Sequence, residues 1–269
     1  MLSVPHQETI DEKLQQERQS LHRLNKAIKI TSFLFIIVAI AFSSYYGYIQ
    51  YTQSQLSFES KATQVAKEAI RNRPRNADAR VRLGVVYLQE GKYDNSIEQF
   101  KEALKVQRDH QEALVYCGIA YMKKEQYDNA LKYFDKEIKY YQSTMFAKTN
   151  SYLEQAYYYG GVSHWKKKRY DKAIEYLQDA LGIKATNADT YLVIGRVYMD
   201  KKEYDKAIEQ FNKALEFDPK YTDVYYGLGI IYEEKGNKEE ALKNYRTALK
   251  IKSDFTAAQD AIKRIEGKK

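Results

Sequence analysis

The chain has 269 residues, with 44 Lys and Arg against 36 Asp and Glu, a net charge of +8, and 44% apolar residues. Twelve Gly and three Pro are too few to punctuate many turns, which points to helices joined by short polar connections. A single cysteine, Cys117, excludes an internal disulfide framework and a cysteine-based zinc site. The interleaving of acids with bases argues against a nucleic-acid partner, whose binders cluster positive charge on one face.

Residues 1–28 form a polar tail in which Leu14, Leu21, Leu24 and Ile28 would share a helix face over two turns, too few for a coiled coil. From Ile30 to Ile49 no side chain is charged. Twenty residues at ~1.5 Å rise span roughly 30 Å, the hydrocarbon thickness of a bilayer, so residues 29–50 read as a transmembrane helix. Tyr45, Tyr46, Tyr48 and Tyr51 crowd its C-terminal end as an interfacial aromatic belt would. Ala39 and Ala41 resemble a signal-peptide cleavage site, but the apolar run continues past Ala41 and the preceding stretch is long and mixed in charge, which favours a retained anchor. Lys13, Arg18, Arg23, Lys26 and Lys29 precede the span, whereas only Lys61 and Lys67 follow within twenty residues. That asymmetry puts the N-terminus in the cytoplasm and the remainder on the extracytoplasmic side of a plasma or inner membrane, beyond a stalk at 51–60. Arg71, Arg73 and Arg75, in a cluster running to Arg82, are candidate contacts for anionic lipid.

The rest of the chain repeats. Gly84, Gly118, Gly161, Gly195 and Gly229 stand at intervals of 34, 43, 34 and 34 residues. Three residues after each comes Tyr87, Tyr121, His164, Tyr198 or Tyr232, and twelve after comes a small residue, Ser96, Ala130, Ala173, Ala207 or Ala241. Sixteen after comes Phe100, Phe134, Leu177, Phe211 or Tyr245. The pattern is that of a helix hairpin: the glycine lets two helices approach, and the second helix carries one apolar face at i, i+4 and i+7. No such hairpin buries its own face alone, so copies must stack.

The residues L-G-x-x-Y…Y-x-x-A-x-x-x-F-x-x-A, as in Leu83–Ala103 and Leu228–Ala248, resemble the tetratricopeptide repeat family. The resemblance implies an all-α, right-handed superhelical solenoid. Five repeats are expected at 77–110, 111–144, 154–187, 188–221 and 222–255, after a half-repeat helix at 61–76 and before a capping helix and tail at 256–269. Pro219 and Pro74 are the family prolines that survive, and Glu137 stands where a small residue is usual. Nine extra residues between Tyr140 and Tyr157 contain no Gly or Pro, so they would lengthen the flanking helices into a ridge. Tyr141, Met145, Phe146 and Tyr152 would be exposed on it as a second contact surface, unless the ridge folds back on its neighbours.

No catalytic constellation, phosphate loop, cofactor motif or metal-ligand spacing is present. His6, His22, His110 and His164 are scattered; His164 occupies a Tyr position of the repeat and reads as a packing residue, and the basic run Lys166–Arg169 reads as a solvated turn. The family implies that the first helices of successive hairpins line a concave groove. They carry a second apolar stripe, Val81/Val85/Leu88, Val115/Ile119/Met122, Tyr158/Val162/Trp165, Leu192/Arg196/Met199 and Tyr226/Ile230/Glu233. The carboxylate clamp of the family's familiar peptide mode is absent, since its positions hold residues such as Val85, Glu112, Tyr116 and Tyr159. The expected occupant is therefore an amphipathic helix or apolar segment of a protein, held by Val85, Tyr116, Ile119, Met122, Tyr158, Tyr159, Val162, Trp165, Arg196, Met199 and Tyr226. No small-molecule substrate is expected. These readings describe a membrane-anchored scaffold for assembling protein complexes, with a permanent structural subunit or a chaperone for exported polypeptides as alternatives.

Overall fold

The structure, a computed structural model, describes residues 6–142 and 151–267. Among them are twelve α-helices and no strand. The chain divides at Ala62 into two units.

The first unit holds most of α1 (His6–Asn72). Phe33–Tyr51, 19 residues of mean hydropathy 1.6 with none of them buried, is long and apolar enough to cross a membrane. Its polar side chains bond within the helix: Ser44 Oγ donates to the Ile40 carbonyl at 2.9 Å, and Gln50 Nε2 donates to Tyr46 Oη at 3.1 Å. Such internal bonding is what a helix needs where water is excluded. The boundaries expected at 28, 50 and 60 fall inside α1. The expected half-repeat helix at 61–76 corresponds to its last turns, which end at Asn72.

The second unit is a file of helix pairs. These are α2 (Ala77–Gln89) with α3 (Tyr93–Val106), α4 (Gln111–Lys123) with α5 (Tyr127–Gln142), and α6 (Ser151–Lys166) with α7 (Tyr170–Ile183). There follow α8 (Ala188–Asp200) with α9 (Tyr204–Phe217), α10 (Thr222–Glu234) with α11 (Lys238–Ile251), and a closing α12 (Thr256–Glu266). The side chains of Asn76, His110 and Asn187 each cap a first helix by accepting the backbone N–H three residues on. Inside every hairpin the repeat glycine faces a large side chain of the second helix. A Cβ placed on Gly195 would stand 2.4 Å from Phe211 Cδ1, and Phe211 itself is wholly buried. Between hairpins the small residues of a second helix meet the next first helix, as Ala103 meets Ala113, Cys117 and Ala120.

An ion-pair ladder runs along the stack. The first-turn Asp of each of the first four second helices reaches a Lys at the end of the next hairpin's first helix, as Asp94–Lys124, Asp128–Lys167, Asp171–Lys201 (2.8 Å) and Asp205–Lys235 (2.7 Å). Exposed pairs of this kind add little stability, but they report register. Three lie 30 residues apart and the second lies 39 apart, so the nine extra residues leave the stacking unshifted.

The expected ridge is corrected in part. Helix α5 has 16 residues where the other second helices have 14, and α6 has 16 where the other first helices have 13. Tyr141 is only 6% exposed; with Phe134 and Ile138 it continues the buried stripe of α5, and Gln111 Nε2 donates to its hydroxyl at 2.6 Å. Tyr152 is half-buried against the same cluster. Tyr141 is not an exposed contact, because the added turns prolong the face that already meets its neighbours. Met145 and Phe146 lie outside the described residues.

Candidate functional site

Successive first helices, α2, α4, α6, α8 and α10, pack on one another, while no second helix packs as closely on the next second helix. The first helices therefore lie on the inner side of the file's curve, where a groove would form. The apolar stripe on them separates into two layers. Val81, Val115 and Leu192 are buried, as is Ile119 at 8% exposure, so Ile119 fills the core and presents no surface to a ligand. The reason is geometric: a position facing the adjacent first helix has the same i, i+4, i+7 spacing as one facing the groove.

The other expected groove residues are half-buried. Val85 and Tyr116 pack on the first hydrophobic cluster, and the Tyr116 ring stacks on Phe100 at 6.1 Å between centroids. Met122 and Tyr159 pack on the second, with Tyr159 stacked on Phe134 at 6.2 Å and edge-on to Tyr158 at 5.1 Å. Tyr158, Val162 and Trp165 pack against Ile174, Leu177, Val193 and Ile194, and Trp165 Nε1 donates to Asp200 at 2.7 Å. Trp165 thus ties the third hairpin to the fourth. Met199 joins the next cluster, and Tyr226 lies 5.6 Å from Tyr245 and 5.2 Å from Phe255. Arg196 donates to Asp223 at 2.7 Å. Arg71, Arg73 and Arg75 are exposed.

A row of carboxylates along these helices was not read from the sequence. Asp78, Glu112, Glu154 and Asp189 each sit in the first turn of a first helix and accept a bond from a side chain at the start of the next hairpin. Their donors are His110 Nε2 (3.0 Å), the Tyr152 hydroxyl, Asn187 Nδ2 (2.8 Å) and the Tyr221 hydroxyl. His110 Nδ1 accepts the Ala113 N–H, which leaves its proton on Nε2 for Asp78. The recurring acid at this helix position, and the polar residue 32 or 33 further on in three of the four cases, were the available signal. The carboxylates leave a mark on nearby phenols. Burial first and the Asp189 charge next push Tyr158 up to about 12, and the same two effects raise Tyr221, with its bond to Asp189 between them in size.

Two buried groups stand out from the repeat pattern. His164 is 5% exposed, lies edge-on to Tyr176 at 4.8 Å, and its Nδ1 has no partner. Burial holds its pKa below the ordinary value. Glu137 is wholly buried and neither carboxylate oxygen has a hydrogen-bond partner. Cys117 is buried and its thiol is pushed up to about 12 by burial, which leaves it a poor nucleophile. Among the described residues no three His, Cys, Asp or Glu side chains converge as a metal set requires.

Comparison with known proteins agrees with this geometry. Family models described as tetratricopeptide repeat match residues 60–110, 86–144 and 222–255, and one described as TPR repeat matches 195–236. A model for subunit 3 of the anaphase-promoting complex, or cyclosome, matches 123–214. No curated protein sequence matches. Among solved structures, MamA is 28% identical, with 65% of this chain and 96% of that chain covered at a TM-score of 0.56. YrrB, described as a TPR protein with an unusual peptide-binding site, is 23% identical over 75% of this chain and all of its own, at 0.57. PilF of Pseudomonas aeruginosa shares the fold at 16% identity and a TM-score of 0.63, covering 77% of this chain and 90% of its own. This repeat fold is typical of non-enzymatic scaffolds that mediate protein–protein interactions. The chain carries tetratricopeptide repeats, stacked as an all-helical solenoid.

Proposed function

We propose that the chain is a membrane-anchored scaffold that binds other proteins through the groove of its first helices and so organises a complex at the membrane. The observation that carries this reading is the half-buried row of large side chains on consecutive first helices, Val85, Tyr116, Met122, Tyr159, Val162, Trp165, Met199 and Tyr226. Rings and thioethers held by packing on one side and open on the other suit an apolar or amphipathic helix. The peptide-binding site of YrrB, which has the same fold, supports the choice. Phe33–Tyr51 would be the anchor, with the N-terminus cytoplasmic and the solenoid outside. Arg71, Arg73 and Arg75 would touch anionic headgroups.

The test uses the full chain in its native membranes. It should resist extraction by alkaline carbonate and dissolve only in detergent. A photo-crosslinking side chain at Tyr159 should form a discrete protein adduct that one at the exposed Asn212 on α9 does not. Release by carbonate would overturn the anchor, and equal labelling from both positions would overturn the groove.

A second reading, a permanent subunit of a larger machine, draws on the match of 123–214 to an anaphase-promoting complex subunit. A fixed stoichiometry with one partner after purification would favour it over reversible scaffolding.

A further inference from the structure

Four of the five hairpins place Ala where the second helix meets the next hairpin, at Ala103, Ala180, Ala214 and Ala248, each no more than 1% exposed. The second hairpin places Glu137 there, wholly buried, with no bond to either oxygen. The residue stands on α5, which packs on α6, and its neighbours Phe134, Ile138 and Tyr141 on α5 share one apolar cluster with Leu153 and Ala156 of α6. A buried carboxylate with no partner is stable only as the neutral acid; once ionised it must find water.

Among the described residues, the groups that couple to it bring no compensating cation. They are Asp109 from the turn before α4, Tyr141 on α5 and Tyr152 on α6. At the same end of α4, His110 is engaged with Asp78 and Glu112 with Tyr152. Burial first, and the Asp109 charge second, push Glu137 up to about 7. A recess of about 290 Å³ opens beside the joint, lined by Asp109, His110, Glu112, Tyr140 and Tyr152, and Asp109 is the charge that acts on Glu137.

We propose that the joint between the second and third hairpins is a pH-operated hinge, closed while Glu137 is protonated and loosened when its carboxylate ionises and draws water between α5 and α6. The Ala of the other hairpins gives those joints no carboxyl group at this position. Tyr116 and Tyr159 of the groove lie on the first helices of the two hairpins that the hinge joins, so opening it would separate them.

The sign follows from the raised value. Below about pH 4.5, the ordinary carboxyl range, the joint is at full strength in every state, and its strength falls as pH rises through about 7. Hydrogen–deuterium exchange on the full chain in detergent micelles, corrected for the intrinsic pH dependence of exchange, reads this directly. Amide protection in 130–141 on α5, the helix that carries Glu137, should fall at least tenfold between pH 5 and pH 8, while α9 and α10 of the same molecules stay constant. Glu137→Gln, which keeps the shape and cannot ionise, should hold its pH 5 protection at pH 8. Glu137→Ala, the residue of the other joints, should do the same. Wild-type protection that is flat with pH, or a Glu137→Gln chain that loosens as the wild type does, would overturn the proposal.

Discussion

Lys202 and Gly236 occupy the same place in consecutive hairpins, the turn between first and second helix, and share a left-handed backbone with φ of 61° and 77°. The other turns agree: Gly91, Glu125 and Lys168 stand seven residues after their repeat glycines with φ of 73°, 58° and 56°. An L side chain in that region costs ~1–2 kcal/mol, which a glycine avoids while adding ~0.5–1 kcal/mol of unfolded-state entropy. Lys202→Gly should therefore stabilise by about 0.5 kcal/mol and raise the thermal midpoint by ~1–2 °C. Gly236→Ala should lower it by a larger step. Thermal unfolding followed by circular dichroism separates the two signs.

The contact of Gly195 with Phe211 sets a second expectation. A Cβ on Gly227 would stand 2.8 Å from the opposite edge of the same ring, so Phe211 has no room to retreat. Gly195→Leu should cost about 3 kcal/mol or more through overpacking, at the upper end of the usual range. Gly182, on α7, meets nothing within 4 Å, and Gly182→Ala should be neutral or stabilise by ~0.5 kcal/mol. An unfolding midpoint in Gly195→Leu equal to that of the parent chain would mean that the helices do not touch there.

His164 should make the third hairpin sensitive to acid. Its folded pKa is lowered by burial, so below the ordinary value of 6.5 the unfolded chain takes up a proton that the folded chain resists. Stability is therefore lost as pH falls below about 6.5, the opposite direction to Glu137. The other hairpins carry Tyr87, Tyr121, Tyr198 and Tyr232 at this place. His164→Tyr should remove that part of the acid loss, measured as the difference in denaturant midpoint between pH 7.5 and pH 5.5.

The proposed topology is open to a direct check. A reporter enzyme that works only outside the cytoplasm, joined after Lys269, should be active in whole cells. Activity confined to cells in which Lys13, Arg18, Arg23, Lys26 and Lys29 have been replaced would reverse the orientation.

The repeat register was legible because each glycine and its large partner, a ring in four hairpins and Leu177 in the third, sit sixteen residues apart, and the structure puts Gly84 against Phe100 and Gly229 against Tyr245. The fate of the nine extra residues was not, since a stretch without Gly or Pro fixes neither where a helix ends nor which face it prolongs. Tyr141 shows the result: expected on a ridge, it extends a buried stripe. The groove was only half legible, because Val115 and Met122 belong to one spacing, yet packing between first helices buries the former and leaves the latter half open. The bonds from Asn187 to Glu154 and from His110 to Asp78 cross between hairpins, and no pattern confined to one repeat discloses them.

Each hairpin packs substantially only on the one before it and the one after it. Load applied along such a file is carried in series, and no distant contact shares it. When one hairpin gives way under tension, about 34 residues pass from a folded layer to extended chain, releasing on the order of 100 Å of slack. A file of this build, pulled from its ends, yields in instalments, with the neighbouring hairpins still folded on either side of the break.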